Sequence, residues 1–488
     1  LITLQVALAA DIRQRSLALR SLGSRLVDEE KECAMKTSLS RRHALRWLGG
    51  LGVAGLVAAC GGAPAPSPTA APAAPKAAAT PPPAAGQAFE LIHWSWLTAS
   101  DGEIWQKNIE NFNKENAGKL QIKMDVLPSD QYGVKVLAGV AANTAPDFGW
   151  GNAGARREWQ QKGVTVAMDD YLKGVNLDFA DFTEGTLERA KYDGKIYVIP
   201  LDGMSFQMLV NTDHAKQAGL DISKPPKTGE ELLLWADKMT KREGDKVNRA
   251  GFLMTGSGIH IALVWGIVFE QLGGRRLSDD LKTVTLNRGD AAKQATQWVL
   301  DLFDKRKVSS RDVADRYKAF GTGQGSMFWT GPWTLPGYIK QEGLSFMAVE
   351  LPMVGKELRT VIELGGMEMY KQEKAERYPK SAEAIKWLSD NSFYWCTSGR
   401  GTALRKSVLA RPDFKTAGTP WEYRRPFVEG MSFAKIGPVP LASSPDWQYY
   451  SGTGAIAKNL DPVWAGQKSI EQGLADLEKA WQEALARG

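Results

Sequence analysis

Seventeen tryptophans occur among the 488 residues, and their positions bear on what chemistry the chain can do. Trp94 and Trp96 close the alternating run "FELIHWSW", Trp150 stands in "DFGWGN", Trp329 and Trp333 frame "WTGPW", and Trp447 lies in "PDWQYY". Trp265, in "IALVWGIVF", joins them as a candidate. An indole face suits the apolar C–H face of a hydroxylated ring, while Asp101, Asn152 and Asp202 can form paired hydrogen bonds with hydroxyl groups. These ten residues form the candidate ligand-binding set, and the chemistry they suggest is recognition. Any single tryptophan can equally be a packing residue. Trp105, Trp235, Trp298, Trp387 and Trp481, on or beside apolar helical stripes, read as core.

Catalytic patterns are missing. Asp169–Asp170 and Asp279–Asp280 are adjacent carboxylates, and neighbours in a strand or helix point different ways, so each pair reads as a turn or cap rather than an acid/base pair. There is no GxSxG, and "GTGQGS" (321–326) lacks the following Lys of a phosphate loop, so its glycines mark a turn before the strand "SMFW". The 4 histidines are scattered and the 3 cysteines are far apart, which argues against a metal site or an internal disulfide. No cofactor is expected.

Charge and leader narrow the partners. The chain carries 61 Lys+Arg against 55 Asp+Glu, and its first 60 residues hold 9 and 5 of these, leaving the rest nearly balanced. A nucleic-acid footprint is not supported. "SRRHALRWLGGLGVAGLVAAC" (40–60) has a basic start with Arg41, Arg42 and Arg46, then an apolar run of about 13 residues where a membrane span needs roughly 20. It resembles a bacterial lipoprotein signal, which implies cleavage before Cys60 and a lipid on its sulfur. The twin arginines suggest twin-arginine export, although Ala44 stands where that motif usually has Phe. Met35 is the expected start, residues 1–34 read as upstream translation, 35–59 as the signal, and 60–88 as the lipidated cysteine with an Ala/Pro-rich tether.

The elements that must position the candidate site begin at Phe89. "FELIHWSW" and "LQIKMDVLP" alternate as strands, and between them Trp105, Ile109 and Phe112 recur at helical spacing, which makes a βαβ unit. "GEELLLWADKMTKR" (229–242) and "AAKQATQWVLDLF" (291–303) read as amphipathic helices. A last helix starts at a capping box, Ser469 with Gln472, and carries Leu474, Leu477, Trp481 and Leu485 along one side.

In order along the chain, "HWSW", "FNKENAGKLQIKMDVLPSDQY", "AANTAPDFGWGN", "MDDYL", "YDGKIYVIPLDG", "KPPKTGEELLLWADKMT", "GSMFWTGPW" and "RGTALRKSVL" resemble the landmarks of the family 1, maltose-binding-protein-like, extracellular solute-binding proteins that feed ABC importers. One departure is Ala403, where the family often has Pro. The resemblance implies an α/β, two-lobed periplasmic-binding-protein fold, each lobe a mostly parallel sheet flanked by helices, closing over a ligand in the cleft. It places chain crossings near Pro200–Gly203, Arg359–Gly366 and Val408, with 89–201 and 365–408 forming the N-lobe and 202–364 and 409–488 the C-lobe. Trp333 and Trp447 match ligand-stacking positions of sugar-binding relatives. The implied function is a monomeric, membrane-tethered receptor at the cell envelope that hands a small solute, a sugar or oligosaccharide, to ABC permease subunits. Relatives also take phosphodiesters, for which Arg156 and Arg157 are the candidate cations, and polyamines, which need several cleft carboxylates. An exported hydrolase or lyase acting on polysaccharide, or an adhesive lipoprotein, are the alternatives.

Overall fold

The computed structural model describes residues 88–152, 157–433, 445–447, 449 and 454–486. Cys60, the expected leader and tether, Arg156 and the side chain of Arg157 lie outside the described residues. No described helix is long and apolar enough to cross a membrane.

The described strands run in chain order as β1 (Phe89–Ser95), β2 (Leu120–Val126), β3 (Phe148–Asn152), β4 (Lys191–Tyr192), β5 (Lys195–Ile196), β6 (Ile199–Ser205), β7 (Gln207–Asn211), β8 (Lys241–Glu243), β9 (Lys246–Phe252), β10 (Gly325–Thr330), β11 (Phe346–Val349), β12 (Ile362–Met369) and β13 (Thr402–Ala403). They assemble into a six-stranded sheet, β13-β6-β12-β3-β1-β2, and a five-stranded sheet, β11-β7-β10-β9-β8, besides the small β4–β5 hairpin. Helices flank both sheets, giving the two-lobed α/β architecture.

The opening βαβ unit forms as its spacing suggests. β1 pairs in parallel with both β2 and β3, and helix Ala99–Glu115 buries Trp105, Ile109 and Phe112 against the sheet. The Trp105 indole donates to His93 Nε2 at 2.8 Å, which leaves His93 Nδ1 to donate to the Phe148 carbonyl at 3.3 Å. Burial then lowers the His93 pKa to about 3, so the ring is a neutral connector within the core.

Each sheet is mixed, where mostly parallel ones were expected. β12 runs antiparallel to β3 and β6, and β13 antiparallel to β6. In the second sheet only β9 and β10 are parallel. The reason is connectivity. β6 and β12 carry the chain between lobes, so they traverse the sheet in opposite directions without a crossover helix.

Helix Gly229–Met239 opens with a capping box between Thr228 and Glu231. It stops short of the expected 242 because Thr240 is extended and Lys241–Glu243 pairs as a hairpin with β9 around left-handed Gly244. The last helix, Ile470–Ala486, starts where the Ser469 hydroxyl accepts from the Gln472 amide at 3.1 Å. Its Leu474, Leu477 and Trp481 are buried.

The chain changes sheet at Phe206, between β6 and β7, beyond the expected 201/202 junction. It returns just before β12, and the two crossings bind each other: the Phe206 amide donates to Val361 O at 3.3 Å and the Thr360 hydroxyl to Phe206 O at 2.8 Å. A third passage lies in helix Trp421–Glu429, where Trp421 packs on the first lobe's core and Phe427 on a cluster of the second; the expectation near Val408 fell too early. One buried polar chain ties the first crossing to the third and to Leu351 of the second lobe. The Leu351 amide donates to Gln207 Oε1 at 2.9 Å, Gln207 Nε2 to Ser205 Oγ at 3.1 Å, and Ser205 Oγ to Phe427 O at 2.8 Å.

Candidate functional site

The edges that face the crossings come from strand direction. Asn152, the last residue of β3, pairs with Gly365 near the start of β12, and Ser205 at the end of β6 pairs with Ile362. On the other lobe Thr330, at the end of β10, pairs with Gln207 beside the first crossing. Open sheets bind ligands beyond the carboxyl ends of their strands, and here two such edges meet.

Pairing register puts Trp150, Asn152, Glu363, Gly365, Asp202 and Met204 on one face of the six-stranded sheet. Asp101, from the first turn of helix Ala99–Glu115, joins them through Arg400, which lies between helix Phe393–Thr397 and β13. Arg400 Nε is 2.8 Å from Asp101 Oδ2 and its NH1 4.0 Å from Asp202 Oδ2. Asp202, completely buried, accepts from the Trp395 indole at 2.7 Å. Gly401 and Gly365 cannot carry a side chain here, since a Cβ on either would come within 2.7 Å of an Asp202 oxygen. Trp105, Trp150 and Trp395 pack edge-on beneath, with centroids 5.0 to 5.2 Å apart.

The second lobe contributes Trp333. The Arg400 guanidinium carbon lies 5.6 Å from the Trp395 ring centroid and 5.9 Å from that of Trp333, within cation–π reach of an indole from each lobe. Trp333 is half-buried, stands edge-on to the crossing residue Phe206 at 5.3 Å, and donates to the Tyr317 hydroxyl at 3.2 Å.

Electrostatics follow from burial. Desolvation raises Asp101 to about 6, against the opposing pull of Arg400, and the neighbouring Asp202 charge raises it further. Glu363 is raised to about 7 by the same causes. Burial also raises Asp202, opposed by Arg400, the Trp395 indole and the Gly365 amide. Among the described residues no three His, Cys, Asp or Glu side chains converge as a metal cage.

Of the ten candidates, Asp101, Trp150, Asn152, Asp202 and Trp333 are brought together, with Trp150 as a fully buried floor. Trp94 falls on the opposite sheet face from Trp150, packed against the Tyr132 cluster, because β1 pairs Trp94 with Gly149. Trp96 stands edge-on to Tyr132 at 4.7 Å, half-buried between two clusters. Trp265, Trp329 and Trp447 belong to the second lobe's core. Trp265 stacks on Phe269 and donates to Thr296, Trp329 packs on Phe252 and Trp298, and Trp447 stacks on Trp481 at 5.3 Å. Their rings are spent on packing, so these three expected ligand-binding residues are core residues instead.

Sequence reasoning missed Arg400, Glu363 and Trp395. Glu363 had a signal: it is the one carboxylate inside the apolar run "TVIELGG". Arg400 sits between glycines in "SGRGT", a pattern that also describes a solvated loop. Of the doubled aspartates, the 279–280 pair sits in a turn as expected, while Asp169 opens a helix without capping it and ties it to a distant strand instead. Asp169 accepts from the Ile196 amide at 2.9 Å while Asp170 faces solvent, and Asp280 accepts from Ser278 and the Lys282 amide.

Residues 107–419 match the family described as bacterial extracellular solute-binding protein. The sn-glycerol-3-phosphate-binding periplasmic protein UgpB of Brucella abortus is 27% identical over 163 residues, 31% of this chain and 37% of that protein. That match spans little more than a third of the curated relative. Among solved structures, UgpB from Mycobacterium tuberculosis with glycerophosphocholine has a TM-score of 0.72 at 17% identity, covering 82% of this chain and 99% of that one. Lmo0181 from Listeria monocytogenes with cycloalternan has a TM-score of 0.70 at 18% identity, with coverage of 82% and 99%. At such identity the two structures establish the shared fold.

Proposed function

The chain belongs to the bacterial extracellular solute-binding protein family, and on that premise we propose that it is a receptor that closes its two lobes over a small hydroxylated solute and delivers it to an ABC permease. The observation that carries this reading is the polar cluster at the crossings. Arg400, which holds Asp101 and neighbours the sheet face that carries Asn152 and Glu363, lies 5.9 Å from the Trp333 ring of the other lobe, beside paired, hydrogen-bonded crossings. Carboxylates and an amide suit hydroxyl groups, and an indole at the mouth suits a ring's C–H face. A sugar or oligosaccharide is therefore the proposed class, in keeping with the cycloalternan held by the Listeria neighbour. Phe206 and Thr360–Ile362 form the proposed hinge. Few, short crossings let a ligand that contacts both lobes draw an open population closed.

The envelope location follows from the family, and the tether is the finer step: Cys60 carries the lipid, the Ala/Pro-rich segment holds the globule off the membrane, and the receptor works as a monomer. Scattering and calorimetry with the solute released from natively purified protein test the receptor reading. The radius of gyration falls on saturation and heat is released or absorbed without turnover. An unchanged radius with no binding of any small polar solute overturns it.

A further inference from the structure

Resting on that receptor reading, we infer that the cleft selects a hydroxylated solute bearing a positively charged amine, such as an amino sugar, over neutral sugars and over phosphate esters. The reason is the charge balance at Arg400. Its guanidinium is the one cation in the cluster among the described residues, and it is already committed: Asp101 holds it at 2.8 Å, Asp202 backs it at 4.0 Å, and indoles flank it on two sides. An incoming phosphate would have to displace Asp101 and would then sit beside Asp202 and Glu363.

Three carboxylates surround that single cation, so the face turned to the cleft is left with negative charge. Asp202 Oδ1 and Asp101 Oδ1 are buried and accept no hydrogen bond from any described residue. The Gly365 amide lies near Asp202 and favours its charge without completing a hydrogen bond. Glu363 stands on the same sheet face as Asp202, on the neighbouring strand and one side-chain repeat nearer the crossing, and it keeps partial exposure. Buried, under-satisfied carboxylates are costly, and an ammonium that donates three hydrogen bonds relieves them in a way that a neutral hydroxyl does only in part.

The charged and titratable groups facing the cluster are few. Cys396, on helix Phe393–Thr397, is a buried thiol raised well above its ordinary value and so stays neutral. From the second lobe come Trp333 and Tyr317, with Arg316 occupied on the Tyr317 ring, its Cζ 4.2 Å from the centroid. The carboxylates that would receive the ammonium hold protons more tightly than usual, with Asp101 near 6 and Glu363 near 7, so amine binding must weaken as pH falls through that range.

The test uses the natively purified protein, freed of its solute, and matched probes: glucosamine and chitosan oligosaccharides, glucose and maltotriose, and glycerol 3-phosphate. Calorimetry at pH 7.5 should show an amino-sugar probe binding at least about tenfold tighter than its neutral partner, the scale of one charge-assisted hydrogen bond. Glycerol 3-phosphate should bind weakest. Glu363→Gln and Asp101→Asn should each remove most of that preference, and lowering the pH to 5 should do the same for the wild type; melting curves show that the variants remain folded. Equal, pH-independent affinity for amino and neutral probes, or preference for the phosphate ester, overturns the amine assignment and leaves the receptor reading standing. Binding of none of the probes, with no solute recovered from natively purified protein, removes both.

Discussion

Replacing Glu363 by Gln isolates the cost of placing a carboxylate in the cleft. In the folded protein burial raises its pKa from 4.5 to about 7. Each tenfold change in proton affinity is worth about 1.4 kcal/mol, so ionising Glu363 in the folded chain costs about 3 kcal/mol relative to the unfolded one. The sign is fixed by the direction of the shift. Below pH 4.5 the group is protonated in both states and its contribution is fully present; as pH rises through 7 the folded form must give up a proton it holds tightly, and that stability is lost. Glutamine keeps the shape and has no charge to pay for. Urea unfolding followed by tryptophan fluorescence, from pH 4.5 to pH 8, should therefore show the variant gaining about 3 kcal/mol on the wild type across the range. Parallel pH profiles would refute the argument and place Glu363 in water.

Trp447→Ala should cost roughly 3 to 5 kcal/mol of stability while leaving affinity near wild type once folded, because the ring lies in the core on Trp481; a stable variant with lost binding would return Trp447 to the cleft. Trp333→Ala should do the reverse, losing about thirtyfold in affinity, or about 2 kcal/mol, with a small change in melting temperature. Gln207→Ala should lose roughly 1 to 3 kcal/mol by breaking the polar chain that joins the first and third crossings; unchanged thermal melts would show that these crossings are held by packing alone. Cys60→Ala should yield unlipidated protein released from the membrane, read by mass spectrometry and fractionation, and a mature wild-type chain retaining residues 40–59 would contradict the anchor.

Much of the fold was legible because it is local. The 3.6-residue recurrence of Trp105, Ile109 and Phe112, the alternation of β1 and β2, and the cap at Ser469 all report on contacts within a few residues. Sheet direction was less legible, since β6 and β12 take theirs from long-range crossings that leave no periodic mark. The candidate site shows the same division. Asp101, Asn152 and Asp202 were legible as hydrogen-bonding side chains beside or within apolar strand runs, but Trp265, Trp329 and Trp447 have the same composition around them as a cleft wall and differ only in what packs on top. Arg400 lies 299 positions from its partner Asp101 and gains its meaning only when the two meet.

The most direct test of a receptor cleft at these crossings is a crystal structure of the protein loaded with the solute it carries from its native host. Density for that solute is expected between the lobes, within hydrogen-bond distance of Asp101, Asn152 or Glu363 and against the Trp333 ring. A solute bound elsewhere on the globule, with the two lobes unmoved, would contradict it.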